Sequence, residues 1–204
     1  MPDRRLAATA LAAAALSVAA AACSGGSTGD ARPAPGTASS ETTSAAPNPK
    51  PSDRPREVKL DGKDPCSLLT DAQKAQFVLD RPPRSDKSST FNDASACYFR
   101  SEADETGAAL YAITDMGIQE FGPGQVNGEV QEIRVQGFPA YEIHTPGQPP
   151  GDDFCTVNVD VADGQVLRAH YSEDGRKKNP LGKEEVCRRA ARLADAAMTT
   201  LLTG

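Results

Sequence analysis

Apolar and polar positions divide the chain into three regimes. Leu6 to Val18 is an uncharged run, mostly Ala and Leu. From Ser24 to Pro55 the apolar pattern disappears: 25 of these 32 residues are Gly, Ser, Thr, Ala or Pro, and none is aromatic. Beyond it, periodicity returns and continues to the C-terminus.

That periodicity predicts a sequence of elements. Asp64-Pro65-Cys66-Ser67-Leu68-Leu69 reads as a helical turn, with Asp64 as cap and Pro65 at its first position. Thr70 and Gln73 have capping-box spacing and open a helix to about Leu79, which Asp80-Arg81-Pro82-Pro83 ends. Residues 84–93 read as polar loop. Three hairpins follow: residues 94–100 with 108–114, 130–135 with 138–144, and 154–161 with 165–171.

The third hairpin is the most informative. Cys155, Val157, Val159 and Val161 alternate with Thr156, Asn158 and Asp160, and Leu167, Ala169 and Tyr171 alternate with Arg168 and His170. A two-residue turn at Asp163-Gly164 sets Val159 opposite Arg168 and mixes the faces. A three-residue Ala162-Asp163-Gly164 loop pairs Val159 with Leu167, Val157 with Ala169 and Cys155 with Tyr171, and asks for a left-handed Gly164 in a bulge. Cys155 then points into the core. A closing helix from about Lys183 to Leu202 carries Val186, Ala190, Leu193, Ala197 and Leu201 on one stripe. Helix, three hairpins and helix predict an α+β fold: an antiparallel sheet of about six strands with N- and C-terminal helices packed on one face.

The first regime is a targeting segment. Arg4-Arg5 forms a positive head before the apolar run, and Ala20-Ala21-Ala22 leads to Cys23. Head, short apolar run and small-residue exit make an export signal, too short and too Ala-rich for a membrane helix. Cys23 stands where bacterial lipoproteins carry the diacylglycerol- and palmitate-type acyl groups that anchor them. The expected organisation is a lipoprotein signal peptide over 1–22, a lipidated Cys23 with a disordered linker over 23–58, and one disulfide-stapled domain over 59–204. As a flexible coil, the Ser24–Pro55 stretch spans about 30 Å. The expected location is the outer face of the cell membrane.

Charge and cysteine content sharpen this picture. The chain has 22 Lys+Arg against 28 Asp+Glu, a net charge of −6. Loss of residues 1–22 removes Arg4, Arg5 and Asp3, leaving 20 basic against 27 acidic residues, or −7. With no basic stripe, nucleic acid is not an expected partner. Five cysteines occur: Cys23, Cys66, Cys97, Cys155 and Cys187. Setting Cys23 aside leaves an even four for an oxidising compartment. Four cysteines allow three connectivities. Cys66–Cys97 and Cys155–Cys187 are expected, tying the opening turn to the first strand and an inward strand residue to the closing helix. No Cys-x-x-Cys occurs, so neither zinc nor another cofactor is expected.

Reactive motifs are weak. Gly122-Pro123-Gly124-Gln125-Val126-Asn127-Gly128 resembles a dinucleotide fingerprint, but its last spacing is one residue too long and a strand follows. Asp152, Asp153 and Asp160 lack calcium-loop spacing. Thr156, Asn158, Arg168 and His170 share the outer face of the third hairpin and are the candidates for gripping an anionic ligand, although a solvated sheet face is the simpler reading. His144, at a strand end, is expected to be exposed, as is the basic loop Arg176-Lys177-Lys178.

Asp64-Pro65-Cys66-Ser67-Leu68-Leu69-Thr70, placed after such a signal and linker, resembles an actinobacterial lipoprotein family, the one catalogued as domain of unknown function 3558. Cys97 on an early strand, Gly137-Phe138-Pro139-Ala140, Cys155-Thr156-Val157 before Asp163-Gly164, and Cys187 in a closing helix are similar to it too. The resemblance implies an envelope-anchored domain and supplies no catalytic residues. The expected function is therefore a monomeric, non-catalytic binding module for an envelope protein or ligand. The alternative is a carrier holding a lipid or other small hydrophobic ligand between sheet and helices.

Overall fold

The computed structural model describes residues 53–204. The export signal, Cys23 and most of the linker lie outside the described residues. Seven antiparallel strands form one sheet: β1 (Arg84–Ser88), β2 (Ala94–Ser101), β3 (Thr106–Ile113), β4 (Glu129–Val135), β5 (Phe138–His144), β6 (Phe154–Ala162) and β7 (Gln165–Glu173). Their spatial order is β1-β2-β3-β7-β6-β5-β4. The last strand of the β4–β7 meander thus slots against β3. A 3-10 turn (Pro65–Leu68) and the helix α1 (Asp71–Gln76) precede the sheet, and α2 (Gly182–Thr203) closes the chain.

Local chemistry explains most of these boundaries. Asp64 accepts a hydrogen bond from the Cys66 amide, and Thr70 and Gln73 form the reciprocal capping box. The helix predicted to reach Leu79 stops at Gln76, because the chain closes it with a Schellman pattern. The Val78 amide donates to the Ala75 carbonyl and the Leu79 amide to the Lys74 carbonyl. Val78 therefore holds φ +56° and is 47% exposed. A β-branched residue is costly in that region, where glycine is at ease. Val78→Gly is expected to raise stability by about 1 kcal/mol, read from urea melts. Destabilisation by the substitution would mean that the Val78 side chain holds something in place.

Inward-facing residues build the main core. Across the sheet, Cys97, Leu110, Ala169 and Val157 form one row, and Phe99, Ala108, Tyr171 and Cys155 the next. The α2 stripe of Val186, Ala190, Leu193, Ala194, Ala197 and Met198 packs on them, fully buried. Burial of such side chains supplies roughly 1.5–3 kcal/mol each before entropy is counted. Both expected disulfides form: Cys66–Cys97 and Cys155–Cys187, at Cα separations of 5.0 and 4.8 Å. Such bonds belong to oxidising, extracytoplasmic compartments.

The third hairpin keeps the expected core register: Val159 pairs with Leu167, Val157 with Ala169 and Cys155 with Tyr171. Gly164 is left-handed, at φ +69°. The odd residue, however, is not in the loop. Ala162 pairs with Gln165 across a two-residue Asp163-Gly164 turn, and the irregularity falls between Asp160 and Ala162. The β4–β5 turn, Gln136-Gly137, has φ +50° and +82°, the positive pair that a two-residue hairpin with matched twist requires.

Four further expectations are corrected. Residues 84–93 hold an edge strand, β1, rather than loop alone, so the sheet has seven strands and not six. Its charged sequence, Arg-Ser-Asp-Lys-Ser, carries no apolar alternation. Backbone pairing with β2 holds it, and Lys87 and Asp86 guard the edge. The linker also ends earlier than residue 58. Arg54 is ion-paired with Asp160 at 2.6 Å and with Asp163, and the Val58 amide donates to the Val161 carbonyl at 2.8 Å. Third, the face bearing Thr156, Asn158, Arg168 and His170 is largely covered rather than solvated. Ala94, Ile113, Phe121, Ile143 and Val166 form a second core on it, with Phe91, Met116, Ile118 and Val126 packed against them. Finally, His144 is buried rather than exposed, because Asp153 and the segment around Gly128 close over it.

Candidate functional site

Antiparallel register assigns the outer face of the sheet residue by residue. One row runs Arg84, Tyr98, Ala109, His170, Thr156 and Ile143. The next runs Asp86, Ala96, Tyr111, Arg168, Asn158 and Tyr141. A third carries Arg100, Gly107, Ser172 and Phe154. The apolar cover lies over the β3–β7–β6 end near Ile113 and Val166. Towards Gly107 and Ser172 the face opens into a cleft of about 620 Å³.

The cleft exists because β3 presents small residues there. Gly107 and Ala109 form a low floor between Tyr98 and Tyr111 on one side and His170 and Ser172 on the other. A Cβ at Gly107 would come within 3.1 Å of Ser172 Oγ. Arg81, Arg84 and Arg100 stand around the rim with Glu102 and Asp174. The rim charges are already matched: Arg100 to Asp174 at 2.7 Å, Arg81 to Glu102 at 3.4 Å, and Arg84 to Asp86. Arg84 also lies 4.8 Å from the Tyr98 ring, whose edge meets Tyr111 at 5.9 Å between centroids. These contacts hold the ring walls in fixed positions.

The four residues read from the sequence as ligand contacts do come together, in different roles. His170 lines the cleft and stacks at 5.3 Å on Phe154. Burial, reinforced by the Arg168 charge, lowers its pKa to about 4, so it offers a neutral ring and not a cation at neutral pH. Burial of Arg168 lowers its pKa to about 10, and it remains charged. Its guanidinium carbon lies 5.1 Å from the Phe91 ring and 5.9 Å from Phe121. It donates from Nη1 to Asn158 Oδ1 at 2.9 Å. Thr156 and Asn158 are fully buried and do not line the cleft. Tyr98 and Tyr111 are the functional-face residues the sequence reading missed. Burial, with a side-chain hydrogen bond to Tyr98, raises the Tyr111 pKa, and the phenol stays protonated.

Two other constellations bring potential ligand or proton-transfer groups together. Glu142 lies with Cys155 and Cys187 so that one donor atom of each falls within 4.8 Å of the others. Both sulfurs are joined in the disulfide, which removes them as thiolate ligands. His144 Nε2 lies 2.9 Å from Asp153 Oδ1, but His144 lines none of the clefts described. A second groove of about 520 Å³ runs beside α2, where Phe77, Ile133, Val135 and Ala191 meet Arg134 and Arg192. Among the described residues, no helix is long and apolar enough to cross a membrane.

No curated protein and no solved structure matches the chain. The model of one protein family, described as a protein of unknown function (DUF3558), matches residues 18–200 and so takes in the whole sheet, both disulfides and nearly all of α2. By that match the chain belongs to the DUF3558 family.

Proposed function

We propose that the protein is a lipid-anchored, extracytoplasmic, non-catalytic binding module, held to the membrane through Cys23 and taking its ligand on the outer face of the sheet. The observation that carries the reading is the cleft over Gly107 and Ala109. Its ring walls converge with rim arginines and a neutral His170 on one space. A rigid wall, a small-residue floor and a few placed polar groups are the usual makings of a ligand site. His170 and Ser172 share the cleft, but Ser172 Oγ donates to the Gly107 carbonyl and the lowered pKa of His170 makes it a weak base, which favours recognition over catalysis. The sheet–α2 interface, where a carried lipid would sit, is occupied instead by Val157, Val159, Leu167, Leu193, Ala194 and Met198, all fully buried. The domain's bonded cysteines leave Cys23 as the odd thiol of the chain, at the end of an export signal.

One experiment with two readouts tests this. Protein extracted from native membranes is expected to have the mass of residues 23–204 plus a diacylglycerol and an acyl chain, and Cys23→Ser is expected to release it to the medium. Immobilised wild-type domain is expected to retain solubilised envelope material about tenfold better than a Tyr98→Ala/Arg84→Glu variant, the factor that ~1.4 kcal/mol of lost contact produces. An intact leader on the native protein rejects the anchor, and equal retention by the two proteins rejects the cleft.

A further inference from the structure

Beneath the cleft, a buried polar pair is left without its complement. Arg168 sits on β7, in the middle of the sheet, flanked by Tyr111 on β3 and Asn158 on β6. Although it keeps some solvent exposure, it packs between the Phe91 and Phe121 rings, which attract a cation but neutralise none of its charge. Among the described residues, no carboxylate lies within ion-pair distance of it, in contrast to Arg54, Arg84, Arg100, Arg176 and Arg189. Asp160, two residues beyond Asn158 and on the same face, is engaged by Arg54 at 2.6 Å. Desolvating a cation without a counter-charge is unfavourable.

Asn158 repeats the pattern. Its side chain is 0% exposed, and its Nδ2 has no acceptor among the described residues. The amide cannot be turned round to cure this. Oδ1 already accepts from Arg168 Nη1, and exchanging the two atoms would set donor against donor. The pair therefore presents unused N–H groups from a guanidinium and from a carboxamide. Oxygen-rich anions suit such a set, since a guanidinium meets two oxygens in parallel and a carboxamide donates to a third lone pair.

We propose that Arg168 and Asn158 form a binding site for a small oxyanion, a carboxylate or a phosphate group, on the covered outer face of the sheet. Tyr111 and His170, the neighbours of Arg168 across the ladder and along β7, line the cleft, whereas Arg168 and Asn158 lie behind them, so an anion entering from the cleft has to pass these two side chains. The site does not depend on the cleft holding a larger ligand. A free anion satisfies it, and so does an anionic group on whatever the cleft takes.

The test is titration calorimetry of the purified full chain with inorganic phosphate and, separately, with sodium acetate, in chloride buffer of constant ionic strength. Saturable binding at one site per chain is expected for at least one of them. Preference for phosphate points to phosphorylated wall polymers or lipid headgroups as the source, and preference for acetate to uronates or peptide carboxylates. Asn158→Asp builds the missing carboxylate into the protein. It is expected to weaken binding at least tenfold and to keep or raise the melting temperature in anion-free buffer. Arg168→Lys keeps the charge and loses the two-pronged donor. It is expected to weaken binding at least tenfold as well, and it carries the test should Asn158→Asp fail to fold. Absence of saturable binding to the wild type overturns the proposal, as does wild-type affinity in the folded variants. The Tyr98→Ala/Arg84→Glu variant leaves this site intact, so failure of the cleft and failure of the anion site are read separately.

Discussion

Replacing Cys155 and Cys187 together by alanine is expected to remove about 3.5–4 kcal/mol of stability, the closure entropy of the loop these residues pin in the unfolded chain. Their sequence separation is 32 residues. Cys66–Cys97 closes a loop of nearly the same size, with a separation of 31, and chain entropy alone predicts the same loss for both pairs. The surroundings differ. Cys155 is fully buried on β6, an interior strand of the sheet, and Cys187 sits on the packed side of α2, whereas Cys66 is only partly covered beside the opening turn. Removing the inner pair also deletes contacts between sheet and helix, so it is expected to be the costlier of the two. Urea denaturation of both double variants, under oxidising conditions, measures this. A loss under about 1 kcal/mol for the inner pair would show that α2 docks without help from the bond.

Tyr171→Ala is expected to cost about 3–5 kcal/mol, the range for emptying a large aromatic site in a core. Tyr171 is the largest of the fully buried side chains. It stands opposite Cys155 and Ala108 and lies 6.5 Å from the Phe77 ring. Its hydroxyl donates to Thr106 Oγ1 at 3.0 Å and accepts from Arg189 Nη1 at 2.9 Å. Arg189 continues to Glu185 and Asp104, and Asp104 to Arg176. Partial burial raises the pKa of the Asp104 carboxyl, but the hydrogen bonds from Arg176 and Arg189 outweigh it and hold the group below its ordinary value. Tyr171→Phe keeps the ring and removes only the hydroxyl, so it is expected to cost about 1–2 kcal/mol. If the two substitutions cost the same by chemical denaturation, the ring contributes nothing and the polar network carries the site.

How much of this was legible before folding depends on where each residue's partner lies. The third hairpin was readable because its inner positions, Cys155 to Val161 and Leu167 to Tyr171, are apolar on one side only, and a slipped register exposes them all. The stripe on α2 was readable for the same reason. β1 was not, since an edge strand needs only backbone partners, and Arg84 to Lys87 have no side to hide. The covered outer face was also missed. Thr156, Asn158 and Asp160 look like a solvent face on β6, and their cover comes from Phe91, Met116, Ile118, Phe121 and Val126, which carry no period. Apolar residues scattered through supposed loops were the available signal: they must be buried somewhere, and the polar alternation of β6 was the vacant side. The cleft depends on Gly107 and Ala109 meeting His170 and Ser172, a β3–β7 pairing that local alternation does not specify.

The way the chain enters the domain decides how it bears a mechanical load. A pull arriving through the residues before Asp53 meets the Arg54 clasp on Asp160 and Asp163, and then the Val58–Val161 hydrogen bond. Each lies on β6 or on its turn, and β6 is the strand that Cys155 bolts to α2. A pull applied at residue 53 would thus pass into β6, which the Cys155–Cys187 bond ties to α2, instead of peeling β1 from the edge of the sheet.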